Sequence, residues 1–164
     1  MRSKTTRLLP LVATLLVGVG LGLGTQRVLA QGAANRALVV SEASQPTYAL
    51  QDGKLLAQIL LDEASVGATA ASMTRLTASP GASAPEHTHD GDELVYVIRG
   101  RAITRVGDET HELSAGMALR IPQGTPHELE VPEQDGALEV LVIYAPPGAE
   151  QRFEAGAIVE PRPR

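Results

Sequence analysis

Short apolar stretches separated by turn residues follow one another along the chain from about residue 48 to about residue 145. Residues 94–98 and 137–145 are apolar at almost every position, and residues 68–77 alternate weakly between apolar and polar side chains. Such stretches, bounded by glycine, proline and aspartate, are typical of β-strands, and strands that recur about every 8–12 residues are typical of sandwiches and barrels. The pattern therefore predicts one all-β domain over residues 48–148, with almost no helix.

Eight stretches are predicted as strands, with turn signals between them. The first, 54–61, also suits a short helix, and we favour a strand. The apolar side chains on both faces of residues 94–98 predict a strand that is covered on both sides, by the core and by a second subunit. The predicted strands are 54–61, 68–77, 94–98, 102–106, 110–113, 117–121, 127–131 and 137–145.

The first 30 residues have a different pattern. Arg2, Lys4 and Arg7 precede an uncharged apolar run over residues 8–24, and residues 28–30 offer small side chains where a signal peptidase cleaves. This layout predicts a secretory signal peptide, residues 1–30, cleaved after Ala30. The alternative is an uncleaved membrane anchor, since a run of this length is at the lower limit for crossing a bilayer. In both cases we expect an exported domain, periplasmic or extracellular.

Composition also marks the flanks of the domain and limits its partners. Residues 31–47 are small and polar and are expected to form a linker, and residues 149–164 a C-terminal tail. Residues 1–30 hold four basic side chains and no acidic one, so their removal takes the net charge from −5 to −9. A chain with this charge and no basic stripe is not expected to bind nucleic acid. The absence of cysteine excludes disulfides and thiolate metal ligands.

Four side chains are candidate metal ligands: His87, His89, Glu93 and His127. Side chains at i and i+2 of a strand share a face, so the first two imidazoles can reach one ion. The turn signal at residues 90–92 reverses the chain and presents the carboxylate back towards them. The third imidazole follows 34 residues after the glutamate. A lone His-x-His pair is more often solvated surface, but three imidazoles and one carboxylate suit a divalent transition metal such as Mn, Fe, Ni, Cu or Zn.

The spacing of these residues closely resembles the two signature motifs of the cupin superfamily, in the correct order. The first motif is Gly81, five residues, His87-x-His89, three residues, Glu93, six residues and Gly100. The second motif is Gly116, five residues, Pro122-x-Gly124, two residues and His127. The asparagine that the family carries after the last histidine is absent, and Val131 stands near its place; that asparagine is not a ligand in the family pattern.

The resemblance covers roughly residues 70–148 and implies one jelly-roll barrel, a double-stranded β-helix. It also implies that His87, His89, Glu93 and His127 hold one divalent metal and that the protein forms a homodimer. Cupins include dioxygenases, isomerases, lyases and decarboxylases, as well as storage and sensing proteins without catalytic activity. The fold alone does not select among these functions.

Four protein ligands leave two positions open on an octahedral ion, enough for a substrate and for dioxygen or water. We favour a dioxygenase-like oxidoreductase that acts on a small organic molecule, with Glu93 as the catalytic candidate because the motifs offer no other general base. Two alternatives stay open. One is a non-catalytic metal-binding or small-ligand-binding sensor, and the other is a Lewis-acid lyase or isomerase.

A few residues outside the motifs carry weaker expectations. His111 lies in a polar stretch and is expected to be an exposed strand residue. Arg75 and Arg120 stand in strand-like stretches, where either could meet an anionic substrate, although an exposed barrel wall suits them better. Tyr96 should face away from the glutamate of the first motif, since the two differ by an odd number of positions. A pocket lined by aliphatic side chains is expected to use Met73, Val95, Val97 and Ile143.

Overall fold

The computed structural model describes residues 37–159. The signal peptide predicted over residues 1–30 and the first part of the predicted linker, residues 31–36, lie outside these residues. Between residues 37 and 159 there are eleven strands and one α-helix of four residues. The prediction of an all-β domain with almost no helix is confirmed. In this described part of the chain, no helix has the length and apolar character needed to cross a membrane.

The elements are numbered in chain order. Helix α1 covers Glu63–Val66, and 3-10 segments cover Glu42–Ser44, Gln51–Gly53 and Ala149–Ala155. The strands are β1 (Thr47–Leu50), β2 (Leu55–Leu61), β3 (Ser72–Ala78), β4 (Ser83–His87), β5 (Asp92–Arg99), β6 (Arg101–Val106), β7 (Glu109–Ser114), β8 (Ala118–Ile121), β9 (His127–Glu130), β10 (Leu138–Ala145) and β11 (Ala157–Val159).

All eight predicted strands are present, with small shifts at their ends. The stretch at 54–61 forms strand β2 and not a helix. The largest shift is in β3, which begins at Ser72, four positions later than predicted. Helix α1 precedes it, and Asp62 caps this helix by accepting a hydrogen bond from the backbone N–H of Ser65 at 2.8 Å.

Two antiparallel sheets enclose one core. The larger sheet has seven strands in the order β11-β1-β2-β3-β10-β5-β8, and the smaller has four in the order β4-β9-β6-β7. Strands distant in sequence are neighbours in both sheets, as in a jelly roll, and the implied jelly-roll barrel agrees with this arrangement. Apolar side chains of both sheets form a single cluster, to which β10 contributes Leu138, Val140, Val142 and Tyr144 from alternate positions.

Strand β5 is covered on one face and not on both. Its inner face carries Val95 and Glu93, both buried, whereas Leu94, Tyr96 and Ile98 are 39%, 48% and 40% exposed on the outer face. Within a single chain the smaller sheet covers the inner face alone, and cover of the outer face by a second subunit stays a prediction. Tyr96 points away from the face of β5 that carries Glu93, as the odd number of positions between the two residues predicts.

The residues expected as a C-terminal tail form regular structure up to Val159. Strand β11 pairs with β1 at the edge of the larger sheet. The segment Ala149–Ala155, which we call the 149–155 segment, buries Glu150 and Phe153 against the barrel. The carboxylate of Glu150 accepts hydrogen bonds from Ser72 Oγ and from the N–H of Gly148, each at 2.7 Å. This segment is therefore anchored by both an apolar and a polar contact.

Candidate metal centre

The four predicted metal ligands lie together in one cluster. His87 ends β4, His89 lies two residues beyond it, Glu93 is the second residue of β5, and His127 begins β9. Each residue offers a ligand atom, and these atoms all lie within 4.8 Å of one another. The fourth histidine, His111, lies elsewhere on β7, with its Nε2 atom 3.4 Å from a carboxylate oxygen of Glu109.

Strand pairing and one loop contact bring the histidines together. His87 and His127 are direct partners in the register of β4 and β9, and their ring centroids are 4.2 Å apart. His89 lies beyond the end of β4, and its carbonyl accepts a hydrogen bond from the N–H of Gly124 at 2.9 Å. This bond ties the loop after β4 to the loop before β9, so the two motifs are joined where their imidazoles converge.

The turn at residues 90–92 is held against the rim of the barrel. A Cβ atom on Gly91 would lie 2.5 Å from the carbonyl oxygen of Ala145, so the close approach requires glycine. The aspartate that ends the turn accepts hydrogen bonds from the N–H of Gln123 at 3.0 Å and from Arg120 Nε at 2.8 Å. The start of β5 is thereby fixed, and the side chain of Glu93, which follows the turn, points into the barrel.

Hydrogen bonds define the protonation of two of the rings. The Nδ1 atom of His87 lies 2.8 Å from the carbonyl oxygen of Pro85, and that of His127 lies 2.9 Å from the carbonyl oxygen of Thr125. A carbonyl only accepts, so each Nδ1 atom carries the hydrogen, and the neutral ring then presents a lone pair at Nε2. Both Nε2 atoms are buried without a hydrogen-bond partner, and so is Oε2 of Glu93.

These buried lone pairs converge. Oε2 of Glu93 lies 3.0 Å from Nε2 of His89 and 3.2 Å from Nε2 of His127. These are ion-pair distances, but a neutral ring with its hydrogen on Nδ1 has none to give the carboxylate. Buried acceptors that face one another cost free energy unless a positive charge lies among them. The donor set therefore fits a cation, either a proton or a metal ion with imidazole and carboxylate ligands.

The pKa values of the cluster follow from its burial and its pairing. Burial alone would raise the pKa of Glu93, but the contacts with His127 and His89 outweigh it and lower the pKa to about 2. Burial lowers the pKa of His87. Burial would also lower the pKa of His127, but Glu93 and the carbonyl of Thr125 outweigh it and raise the pKa. At neutral pH the carboxylate is ionised, and His127 holds a proton up to a higher pH than His87 does.

A cavity of about 360 Å³ extends from this cluster into the barrel. Its polar end includes His87, Glu93 and His127. The rest of the wall is mainly apolar, with contributions from both sheets and from the 149–155 segment: Leu76, Val95, Leu113, Val140, Val142 and Phe153. A polar end and an apolar interior are typical of a small-molecule site.

Three of the four aliphatic side chains expected in this lining do not contribute to it. Val95 lines the cavity, and Val97 is buried in the core beside it. Met73 and Ile143 are paired across β3 and β10, on the outer face of the larger sheet. The prediction for these two residues is wrong because the inner positions of β10 are those of Val140 and Val142, one residue out of phase.

A cation that the sequence analysis did not single out also lines the cavity. Arg152, on the 149–155 segment, places Nη1 2.7 Å from Nε2 of His89 and donates from Nη2 to the hydroxyl of Tyr144 at 2.9 Å. Burial raises the pKa of Tyr144, so its hydroxyl stays neutral. The one available signal was Phe153, the chain's single phenylalanine, in a stretch otherwise resembling a tail.

The two arginines that were considered for an anionic substrate lie on the outside. Arg75 pairs with Glu139 at 2.6 Å and with Glu42. Arg120 pairs with Asp92 at 2.8 Å. The reading of both as residues of the barrel wall agrees with these contacts.

The chain matches known proteins over the barrel. A family model described as the cupin domain matches residues 74–144. The tetracenomycin polyketide synthase protein TcmJ of Streptomyces glaucescens is 32% identical over 106 residues, which are 63% of this chain and 69% of TcmJ. An uncharacterized protein of Streptomyces coelicolor is 34% identical over 67 residues, 41% of this chain. The match spans 62% of that relative, less than two thirds of its length.

A solved structure shares the fold. The polyketide cyclase RemF from Streptomyces resistomycificus superposes with a TM-score of 0.59 at 23% identity, over 68% of this chain and 81% of RemF. At this identity the likeness concerns the fold alone. The family expected from the two motifs is confirmed: this chain belongs to the cupin superfamily.

Proposed function

We propose that the protein binds one divalent transition metal through His87, His89, Glu93 and His127 and acts on a small organic molecule in the barrel. The supporting observation is the convergence of buried lone pairs on Nε2 of His87, Nε2 of His127 and Oε2 of Glu93, which have no hydrogen-bond partner. The metal is Mn, Fe, Ni, Cu or Zn, the ions for which imidazole and carboxylate are suitable ligands.

The reaction class that we propose is that of a dioxygenase-like oxidoreductase. A bound redox-active ion would supply dioxygen activation, and a redox-inactive one would supply Lewis-acid polarisation. Among the cavity-lining residues in the described range, Glu93 is the one carboxylate. Its pKa of about 2 makes it a weak base at neutral pH, so its catalytic role is that of an anionic ligand. The apolar wall keeps water from the substrate.

Lewis-acid chemistry is the second candidate, and the relatives favour it. TcmJ is named as a polyketide synthase protein and RemF as a polyketide cyclase, and ring closure of a polyketide needs no dioxygen. The apolar cavity suits an aromatic product of such a reaction. A non-catalytic binding protein is the third possibility.

Elemental analysis and oxygen uptake separate these candidates. The protein should be purified from its native compartment, because metal supply elsewhere can load the wrong ion. We expect one metal ion per chain. We also expect that addition of a phenol or a diketone causes oxygen consumption, and that Glu93→Ala abolishes this consumption. Turnover without oxygen supports the Lewis-acid candidate, and full metal occupancy without any turnover supports the binding protein. Absence of metal in the native protein contradicts the proposed function.

We also propose that the protein is exported and that residues 1–30 are removed. The support is the basic start, the apolar run and the small residues before Gln31. We expect the exported protein to begin at Gln31 by intact mass. A mass that begins at Met1 in a membrane fraction would support an uncleaved anchor.

Self-association as a homodimer is a further part of the proposal. The exposed apolar side chains of Leu94, Tyr96 and Ile98 on the outer face of β5 supply a candidate interface. We expect light scattering to give a dimer for the wild type and a monomer for Tyr96→Asp. Ile103→Asp is the matched control, because Ile103 is equally exposed on the smaller sheet. A monomeric wild type at micromolar concentration contradicts the dimer and leaves the metal site unaffected.

A further inference from the structure

The backbone of Arg152 is anchored at the polar end of the cavity, and its side chain is exposed. Its neighbours on the 149–155 segment, Glu150 and Phe153, are 1% and 3% exposed. Glu150 is bonded to Ser72 and Gly148, and the guanidinium carbon of Arg152 lies 4.8 Å from the centre of the Phe153 ring. The backbone that carries the arginine is thus fixed on both sides, while the guanidinium itself is open to the cavity.

Neither of the two hydrogen-bond partners of this guanidinium is a carboxylate. Arg152 contacts an imidazole nitrogen of His89 and the hydroxyl of Tyr144. The other arginines between residues 37 and 159 each lie within 3.2 Å of a carboxylate oxygen: Arg75, Arg99, Arg101, Arg105 and Arg120. In this range Arg152 is therefore the one arginine that forms no ion pair with a carboxylate, although its charge helps to lower the pKa of Glu93. A guanidinium fork is well suited to bind a planar anionic oxygen group.

Metal binding would increase this deficit of negative charge. Nε2 of His89 cannot both ligate a metal ion and accept a hydrogen bond from Arg152. The bound ion would therefore release donors of the guanidinium at the polar end of the cavity. Glu93 and Glu150, whose charges act on the same tyrosine as that of Arg152, would offset only part of the combined positive charge of Arg152 and a divalent ion. An anionic group on the ligand would accept the released hydrogen bonds and balance this charge.

The remaining wall constrains the rest of the ligand. Beyond the cluster and Arg152, the charged side chains in the described range do not line the cavity. Its volume of about 360 Å³ falls in the lower part of the range of small-molecule sites, about 300–1,000 Å³. We propose that Arg152 binds the anionic oxygen group of a substrate whose body is apolar, so that the substrate class is a small apolar monoanion, such as an aromatic carboxylate or an acidic enol. This inference rests on the proposed metal site.

Calorimetric titration of the metal-loaded protein tests the assignment. The probes are 1-naphthoate and its neutral isostere 1-naphthamide, with metal stoichiometry measured in every sample. We expect the wild type to bind naphthoate at least about tenfold more tightly than the amide, since hydrogen bonds to an ionised group are roughly twice as strong as those between neutral groups. In Arg152→Gln the preference should vanish while amide affinity and metal content stay unchanged, and Arg152→Lys should keep part of it. Arg101→Gln, which removes an exposed arginine of β6, is the matched control and should keep all of it.

The outcomes separate this inference from the proposed function. Equal affinity for the two probes at full metal occupancy, or a preference that survives in Arg152→Gln, overturns the inference and leaves the metal site standing. A wild type that holds no metal defeats the proposed function. In that case the two probes are compared in the metal-free protein. A preference for naphthoate that depends on Arg152 still supports the inference, and equal affinity for the two probes overturns the inference.

Discussion

Two parts of the chain meet at the polar end of the cavity, and they differ in the charge that they leave unsatisfied. The ligand side consists of His87, His89, Glu93 and His127, and Nε2 of His87, Nε2 of His127 and Oε2 of Glu93 are buried there without a hydrogen-bond partner. The arginine side is the 149–155 segment, whose guanidinium forms no ion pair with a carboxylate. The contact between the sides, from Arg152 to His89, satisfies neither side fully.

This difference indicates two binding tasks at one site. Lone pairs on imidazole and carboxylate select a metal ion, and an unpaired guanidinium selects an anion. The ligand side is held by strand pairing, whereas the arginine side is held by the burial of Glu150 and Phe153. Substitutions on the ligand side should therefore affect mainly metal binding, and substitutions on the arginine side mainly anion binding.

The largest effect is expected for loss of ligands. His87→Ala combined with His127→Ala should abolish metal binding, because two of the four donors are gone. His89→Ala should weaken it by at least about tenfold, since even the outer partners of metal ligands are worth about 10- to 100-fold. Metal stoichiometry after dialysis at neutral pH measures both. His111→Ala is the control and should retain full occupancy; metal retained by the double variant would contradict the ligand assignment.

Loss of the Phe153 ring, which anchors the 149–155 segment, should lower the free energy of unfolding and leave metal binding unchanged. Phe153→Ala should cost about 3–5 kcal/mol of unfolding free energy, because a buried phenyl ring is replaced by a cavity. Its metal affinity should stay within about twofold of the wild type, because the four ligands come from other elements. Denaturant unfolding of the metal-free protein and a metal titration give the two values, and Phe153→Leu provides a milder variant. A metal affinity that falls as steeply as stability would mean that the segment also supports the ligand side.

Acid should weaken metal binding through His127 first. Its pKa is raised in the metal-free protein, whereas that of His87 is lowered, so His127 gains a proton at the higher pH. Below the raised pKa of His127, affinity should fall by about tenfold per pH unit and more steeply once further rings are protonated. Glu93, with a pKa of about 2, should not contribute between pH 4 and 8. Metal titrations across this range measure the slope; an affinity independent of pH below 6 would exclude neutral imidazole ligands.

The smallest effect is expected for the hydroxyl of Tyr144. Tyr144→Phe keeps the buried ring and removes the acceptor of one hydrogen bond from Arg152. We expect a loss of about 1 kcal/mol in stability, unchanged metal affinity and a reduction of about two- to fivefold in the preference for naphthoate over the amide. The same calorimetric comparison measures this change. An unchanged preference would show that the guanidinium is oriented by its own segment and not by the tyrosine.

Local patterns of apolar and turn residues were sufficient to predict most of the strands. The strands at 94–98 and 137–145 were predictable because apolar runs bounded by turn residues have few other solutions. The prediction was wrong where the face of a strand mattered, as for Ile143, because an all-apolar run does not show which residues point inward. The outer face of β5 is open in a single chain, and its expected cover by a second subunit stays a prediction.

The sequence by itself determined eight of the eleven strands, the turn at residues 90–92 and the identity of the four ligand candidates. These features depend on spacing along the chain, because the alternation of a strand and the residues of a turn fix the direction in which each side chain points. Only the tertiary structure decided that Arg152 lies at the same site. Its position depends on the bond between Ser72 and Glu150, which are 78 residues apart, and on the pairing of β11 with β1. Contacts over such distances arise from how the sheets close around the core, and no local pattern encodes them.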